Sequence, residues 1–585
     1  MSKSPLYTAP ILTKLLAQQS EKRSPGLFKQ GTFTLQWRGK VGSFPYPDLE
    51  TIVSAGEPCG RWDWKPDRDF GDLGERLKQL PVSGYIPGSA IRGITRSWAI
   101  KHGRGHEVQD LLGNQDDNQE ITSGKIEFLD AWPETQVNLS LDITNSQENF
   151  QVYHDNSEKG KPNPRPLYTL GNGNQSIDVT IAIRGIPSLA LVTDVEQVWG
   201  WIEQALNFYG VGSRTASGYG RLKPQQRIVP ISLTGYKTQE LGFTLFSQGC
   251  YGPDQRSRIN VELRPSHWRG WLRSWTLRFL LGVMSKNDAH LTLEDLFGTL
   301  ESTAGGKSKQ GKVRIEMLRG SQQQPWGDCS SDRPEFYTWK GKLQINTPTE
   351  ILELIILPIV KFAVSVGGVG RGWRRPLHQF MGKRRGNNEP FSRGTYLTLM
   401  YKLEVEDQVK NFALPPDSKV WNNTYYKWKK AVEIKYSTKH SNRFSSSNLN
   451  LSQRGEIFSP ETCAVYLVSG PKQEPINRDD LEWSTSNVRS TRGEGMELIY
   501  KTPQSSPPRN YKKNPEVGGD AAGGNKPSHC SWVCIKRIRV KDTGTKEVVC
   551  LFMGGQTSQA NHDRSQFLSD LANIPGAIHL FGLQP

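Results

Sequence analysis

The feature that most constrains this chain is that it repeats itself. Ile86 to Trp98 reads IPGSAIRGITRSW, and Leu263 to Trp275 reads LRPSHWRGWLRSW. Each stretch is followed by an acid-leucine-glycine corner, Asp110-Leu111-Leu112-Gly113 and Asp295-Leu296-Phe297-Gly298. A turn and a strand come next, SGKIEFLDAW from Ser123 and QGKVRIEML from Gln310. Each copy then reaches a glycine-rich basic loop, Gly210-Val211-Gly212-Ser213-Arg214 and Gly368-Val369-Gly370-Arg371. Four features in one order, twice, point to a domain duplication, and the period is too long for a solenoid. At 585 residues the chain also exceeds what one hydrophobic core can serve.

Local pattern sets the elements. In the first copy Pro87-Gly88 makes a turn, Ser89 stands where a helix N-cap is expected, and Ile91, Ile94 and Trp98 recur at helical spacing. Arg92 and Arg96 fall off that apolar stripe. In the second copy Trp268, Leu272 and Trp275 form the stripe, with Arg269 and Arg273 beside it and Ser266 at the start. GTFTLQWRG, SIDVTIAIRG and LGFTLFSQG read as strands. A β-α-β order with small sheets predicts an α+β fold of two ferredoxin-like or RNA-recognition-like units in tandem. The boundaries expected are 1–235, 236–389, an insertion over 390–530, and 531–585 as strands completing the second unit. The insertion is rich in loop-forming text but holds an aromatic-basic patch, WNNTYYKWKK, from Trp421 to Lys430. SWVCIKRIRVKDTGTKEVVCLFM reads as two strands about a turn.

Charge narrows the function. Lys and Arg number 74 against 58 Asp and Glu, a net charge of +16. The excess is concentrated: Leu263–Asn287 has no acid, and Lys361–Arg393 has only Glu389. Basic groups therefore gather on the repeated helices and loops, where glycine lets the backbone approach a phosphate and arginine supplies a fork of donors. The expected polynucleotide contacts are Ser89, Arg92, Arg96, Gly210, Gly212, Arg214, Ser266, Arg269, Arg273, Gly368, Gly370, Arg371, Arg374 and Arg375.

Other classes are disfavoured. The N-terminus shows no apolar signal segment, and the run Ile351–Val366 is short and interrupted by Glu353, Pro358 and Lys361, so it reads as buried helix and strand, not a membrane span. A cytoplasmic location is expected. Cys59, Cys250, Cys329, Cys463, Cys530, Cys534 and Cys550 are odd in number with no CxxC pair, which argues against a zinc ribbon or disulfide framework. Cys530 and Cys534 read as core thiols. There is no Walker A sequence and no HExxH, and GGDAAGG at Gly518 lacks the second aspartate of a cyclase GGDD.

At IPGSAIRG followed late by a G-x-G-R loop, the sequence resembles the RAMP superfamily, the Cas-seven-like backbone proteins of type III CRISPR–Cas effector complexes. The resemblance covers about 30–225, and 240–375 plus the final strands, where RPSHWRG replaces PGSAIRG. Two fused units resemble the tandem backbone subunit of a type III-D-like system. It implies CRISPR RNA, target RNA and other effector subunits as partners, no membrane, and a thumb hairpin, here Asn145–Tyr168. It also implies metal-dependent cleavage of target RNA by a loop aspartate ahead of the PGS turn, with a divalent ion, Mg²⁺, as cofactor. That loop offers Asp63, Asp67, Asp69 and Asp72, with Asp69 favoured, and the second copy offers Asp254. A carboxylate there can hold the ion and help orient a 2′-hydroxyl. The alternatives are a non-catalytic guide scaffold, a metal-independent guide-processing ribonuclease using His102, His106, His154 or His267, and a basic adhesion or membrane-surface protein.

Overall fold

The computed structural model describes residues 9–40, 43–44, 83–115, 120–135, 137, 139–145, 150–153, 164–173, 176–226, 228–229, 231–248, 250–251, 261–299, 309–322, 337–384, 387–402, 409–437, 455–472, 491–500, 511–519, 530–540, 544–554 and 558–585. Two compact bodies emerge. The first holds Met1–Ser146, Asn163–Thr234 and Tyr251–Ser266; the second holds Gln147–Pro162, Gly235–Cys250 and His267–Pro585.

The first body opens with α1 (Ala9–Arg23) and is built on a sheet of β1 (Phe28–Leu35), β2 (Ile126–Phe128), β5 (Ile177–Gly185) and β6 (Leu222–Pro224). The spatial order is β6-β1-β5-β2, and Trp132–Pro133 also pairs with β5. β1 lies antiparallel to β5 and β6, and β5 antiparallel to β2. Helices α2 (Gly88–Lys101) and α3 (Gly105–Leu112) follow β1 in the chain, and α4 (Val192–Phe208) follows β5. Alternation explains the burial: Val179, Ile181 and Ile183 of β5 point into the core with Phe33 and Leu35 of β1. Ile91 and Trp98 of α2 and Val195, Val198, Ile202 and Leu206 of α4 close that core. A hairpin of β3 (Leu139–Asn145) and β4 (Pro164–Leu170) stands apart as its own two-stranded sheet, where a thumb was expected.

In the second body β7 (Tyr236–Ser247), β8 (Arg314–Gln322), β9 (Tyr337–Pro348) and β12 (Tyr396–Lys402) pair in the order β8-β9-β7-β12, with Val409–Asn411 on the outer edge. All these pairings are antiparallel. α5 (Pro265–Leu280) and α6 (Lys286–Phe297) follow β7. The first and second sheets thus have the same strand order, each with its first strand inside, its fourth beside it, and its third then second on the other flank. The run expected as helix and strand is helical throughout: Thr349–Ile351 passes through a π-helical stretch, Leu352–Ile356, into α7 (Leu357–Val366). Pro358 has no N–H to return to the preceding turn, which accounts for the wider winding there. A hairpin, β10 (His378–Arg384) and β11 (Asn387–Arg393), precedes β12.

Residues 531–585 do not complete that sheet. β14 (Val533–Val540), β15 (Gly544–Phe552) and β16 (Ile578–Gly582) join β13 (Cys463–Ser469) in a separate antiparallel sheet, ordered β14-β15-β13-β16. With α9 (Glu494–Tyr500) after its first strand and α10 (Ser558–Ala572) after its third, this is the same β-α-β-β-α-β order a third time. Much of the expected insertion is therefore core. α8 (Ser418–Ser437) buries Trp421, Tyr425, Trp428, Val432 and Tyr436. Tyr425 and Phe362 pack on Phe581 of β16, and Trp275 of α5 packs on Phe552 of β15. β13 is buried from Cys463 through Val468, so the third sheet has no open face of the kind RNA-recognition sheets use.

Candidate nucleic-acid interface

The helix arginines are structural. In the first body the Nε of Arg92 donates to the Leu112 carbonyl at 3.1 Å, and Arg96 donates to the Gly113 carbonyl at 2.6 Å. In the second, Arg269 donates to the Phe297 carbonyl at 2.6 Å. Leu112 and Phe297 end α3 and α6, each followed by a glycine at positive φ, 81° at Gly113 and 77° at Gly298. A guanidinium there satisfies terminal carbonyls and meets the negative end of the helix dipole. Beside each corner lies the same ion pair: Lys125 to Asp110 at 2.7 Å, and Lys312 to Asp295 at 2.8 Å. Burial pulls Arg269 down to about 10, and it also lowers Arg273.

The expected N-cap is also displaced. α2 begins at Gly88 behind Pro87, and the Gly88 N–H donates to the Asp130 carboxylate at 2.8 Å. Ser89 lies inside the first turn, exposed, and Ser266 is the second residue of α5, half-buried. The α2 N-terminus thus already holds an anion from its own chain. A Cβ on Gly88 would stand 2.3 Å from the Phe128 carbonyl oxygen, which is why the turn needs glycine.

The glycine loops remain. In the first, Gly210 (φ 74°) and Gly212 (φ 86°) lead to Arg214, itself left-handed at φ 61° and exposed. The loop closes on itself: the Val211 N–H donates to the Gly220 carbonyl at 2.8 Å and the Gly220 N–H to the Arg38 carbonyl at 2.7 Å. An arginine held in the left-handed region with its side chain free of the core is a strained residue at a surface. In the second loop the Gly368 N–H donates to the Trp373 carbonyl at 2.9 Å, Gly370 has φ 80°, and Arg371 is exposed. Both loops lie between the second long helix and the fourth strand of their sheets.

Arg374 and Arg375, expected on that surface, turn inward. Arg374 donates to Glu456, which also accepts from Arg278 Nε at 2.7 Å; Glu456 and Arg278 are fully buried. Burial opposes the Arg374 charge, but Glu456 more than offsets this and raises its pKa. Arg375 donates to the Val533 carbonyl and to Ser531 Oγ, and burial lowers it to about 10. These arginines tie the second sheet to β14.

Sequence reading missed a second buried network beneath the first loop. Arg38 donates to Glu262 at 2.5 Å, Trp37 Nε1 to Glu262 at 3.2 Å, Arg264 to Asp142 at 2.7 Å, and Tyr219 Oη to Asp142 at 2.5 Å. Burial, with Asp142 beside it, raises Tyr219, so the phenol stays a donor. Tyr219 belongs to the glycine loop and Arg38 to the strand edge that the loop caps, so the network fixes the platform bearing Arg214. The only sequence signal was two basic-apolar clusters, QWRGK and VELRP.

Asp63, Asp67, Asp69, Asp72 and Asp254 lie outside the described residues, as do His154 and residues 154–163 of the thumb segment. Val152 of that segment is buried, and its carbonyl accepts from the Glu456 N–H at 2.6 Å within the second body. His102 stacks on Trp98 with centroids 4.0 Å apart and its Nδ1 lies 2.8 Å from the Trp98 carbonyl, a helix-terminus role. His106 is exposed on α3. Among the described residues no group of three or more His, Cys, Asp or Glu comes together, and no helix is long and apolar enough to cross a membrane. Cys534 is buried in β14, its thiol pushed up to about 12 by burial.

Small antiparallel sheets of ferredoxin-like order, with arginine-bearing glycine loops ahead of the last strand, define the class as an α+β chain of repeated units. Residues 66–223 match the family model of the RAMP superfamily. Cmr6 from Pyrococcus furiosus is 20% identical, covering 34% of this chain and 98% of its own, with a TM-score of 0.20. Cmr1 from the same organism in its apo form is 11% identical, covering 59% and 99%, with a TM-score of 0.30. A chain of a type IV-B CRISPR complex is 13% identical, covering 35% and 94%, with a TM-score of 0.19. No curated protein matches the chain.

Proposed function

We propose that the chain is a backbone subunit of a CRISPR ribonucleoprotein effector and grips CRISPR RNA by its phosphates along the two glycine loops. The observation that carries this is the pairing of Arg214 and Arg371: both exposed, both on positive-φ glycine loops, both between the second helix and fourth strand of sheets with one strand order. The RAMP match over 66–223 supports the first of these directly. The matched corners, with Arg92 and Arg269 capping and Lys125–Asp110 and Lys312–Asp295 paired, support reading the second as a duplicate. Backbone N–H groups and a fixed cation bind a sugar-phosphate chain without reading its bases, as a guide holder requires.

In the fuller form of this reading, of the type III kind, target RNA pairs with the held guide and is cut at Asp69 and Asp254. Mg²⁺ would supply charge neutralisation at the scissile phosphate. Those carboxylates lie outside the described residues. The guide-processing alternative loses support at His102, whose ring is engaged by Trp98 and the end of α2.

The test is to express the full chain with its CRISPR array and partner subunits and to extract RNA from the purified particle. Guide-length RNA is expected with the wild type, and a loss of at least 10-fold with Arg214→Glu/Arg371→Glu. RNA content unchanged by that double substitution overturns the reading.

A further inference from the structure

α8 lies outside the stretch matched to the RAMP superfamily, and its inner and outer faces differ in chemistry. Inward it presents Trp421, Tyr425, Trp428, Val432 and Tyr436, spaced by three and four, all buried. Outward it presents Lys419, Asn423, Tyr426, Lys427, Lys430 and Ile434, all exposed. Over Ser418–Ser437 the helix carries Lys419, Lys427, Lys429, Lys430 and Lys435 against the single acid Glu433. Lys435 is engaged by Glu350. Among the described residues no carboxylate pairs with the side chains of Lys419, Lys427 or Lys430. An acid three or four residues away can balance a lysine on a helix surface; in this helix Glu433 is the single acid, and the stripe is left cationic.

The second observation is Tyr426. The residue is 53% exposed, and its ring sits edge-on to buried Tyr425, centroids 5.7 Å apart at 80°. It is therefore a supported aromatic face in solvent, flanked by Lys427 and, one turn on, Lys430. Protein interfaces are enriched in tyrosine but depleted in lysine, and this stripe is mostly lysine. Single-stranded nucleic acid uses both, phosphates on cations and a base on an aromatic face. Lys419 and Lys430 are about 16 Å apart along the axis at 1.5 Å per residue, room for roughly two to three nucleotides.

We infer that the outer face of α8, centred on Lys419, Tyr426, Lys427 and Lys430, is an RNA-contacting surface in addition to the glycine loops. It rests on the reading of this chain as an RNA holder, and it assigns that role to a segment for which the sequence offered no family counterpart.

The experiment titrates the purified full chain with a fluorescent 30-mer oligouridylate across a salt series. The variants are Lys427→Gln/Lys430→Gln, Tyr426→Ala, Tyr426→Phe and, as reference, Arg214→Glu/Arg371→Glu. The lysine pair is expected to lower the slope of log K against log salt by about 1.4. Tyr426→Ala is expected to weaken oligouridylate binding about 10-fold, with Tyr426→Phe near wild type, and to leave binding of inorganic polyphosphate, which has no bases, unchanged. If the loop variant loses RNA while the α8 variants bind as wild type, this inference alone is overturned. If the wild-type chain binds no oligouridylate, both readings fail. Retained RNA binding with loss of a protein subunit in the α8 variants also overturns it, in favour of a protein partner.

Discussion

Arg92 and Arg269 perform one task at two places 177 positions apart: each donates to the last carbonyl of the helix that follows its own, Leu112 in one body and Phe297 in the other. Charge alone reads both as phosphate ligands. Geometry shows that they hold a corner shut, and this fixes what their removal does. Arg269→Ala leaves a terminal carbonyl unpaired and is expected to cost about 1.5–3 kcal/mol of stability, the range for hydrogen bonds to charged groups. Denaturant unfolding checks this, and RNA bound per folded molecule should not change.

The Glu456 carboxylate is buried between Arg278 and Arg374 and pairs with both. Glu456→Gln leaves two buried guanidinium groups short of their counter-charge, for a loss of about 3–5 kcal/mol. Arg371→Ala, at an exposed loop position, is expected within about 0.5 kcal/mol of wild type. Melting curves for the two variants give the comparison; equal shifts would contradict the division between structural and surface arginines.

Much of the fold was legible because alternation and helical spacing are local. The strands at Phe28–Leu35, Ile177–Gly185 and Tyr236–Ser247 and the stripes of Ile91 and Trp98, Trp268 and Trp275 all stand where the pattern put them. What failed was non-local. The third sheet was hidden because Cys463–Val468 is buried on both faces and so does not alternate, and because its neighbour in chain order begins only at Val533. The inward turn of Arg374 depends on Glu456, and the platform under the first loop depends on Arg38 meeting Glu262; neither pairing leaves a mark at short range. Glycine loops were readable because positive φ has a residue signature.

Lys536 gives a pH prediction. Fully buried in β14, it donates to the Leu397 carbonyl, and burial pulls its pKa down to about 7. Below pH 7 it is charged in both folded and unfolded chains, and the burial penalty is fully felt. Between pH 7 and about 10.5 the unfolded chain binds the extra proton, so stability rises with pH. The difference in unfolding free energy between wild type and Lys536→Met should therefore shift in favour of wild type from pH 6 to 9. A pH-independent difference would show that the amine keeps its proton inside.

If the loop carboxylates cut target RNA, Asp69→Ala and Asp254→Ala in the assembled particle each remove cleavage at a subset of sites, by 100-fold or more, while guide content stays constant. Gel analysis of end-labelled target resolves the sites. Cleavage unchanged at every site in both variants would leave a scaffold that cuts nothing.

The most direct measurement is protein–RNA crosslinking of the purified particle with identification of the joined peptides. Guide RNA is expected joined to the loop peptides carrying Arg214 and Arg371, in both bodies of the same chain. A particle without RNA, or crosslinks that avoid both loops, would contradict it.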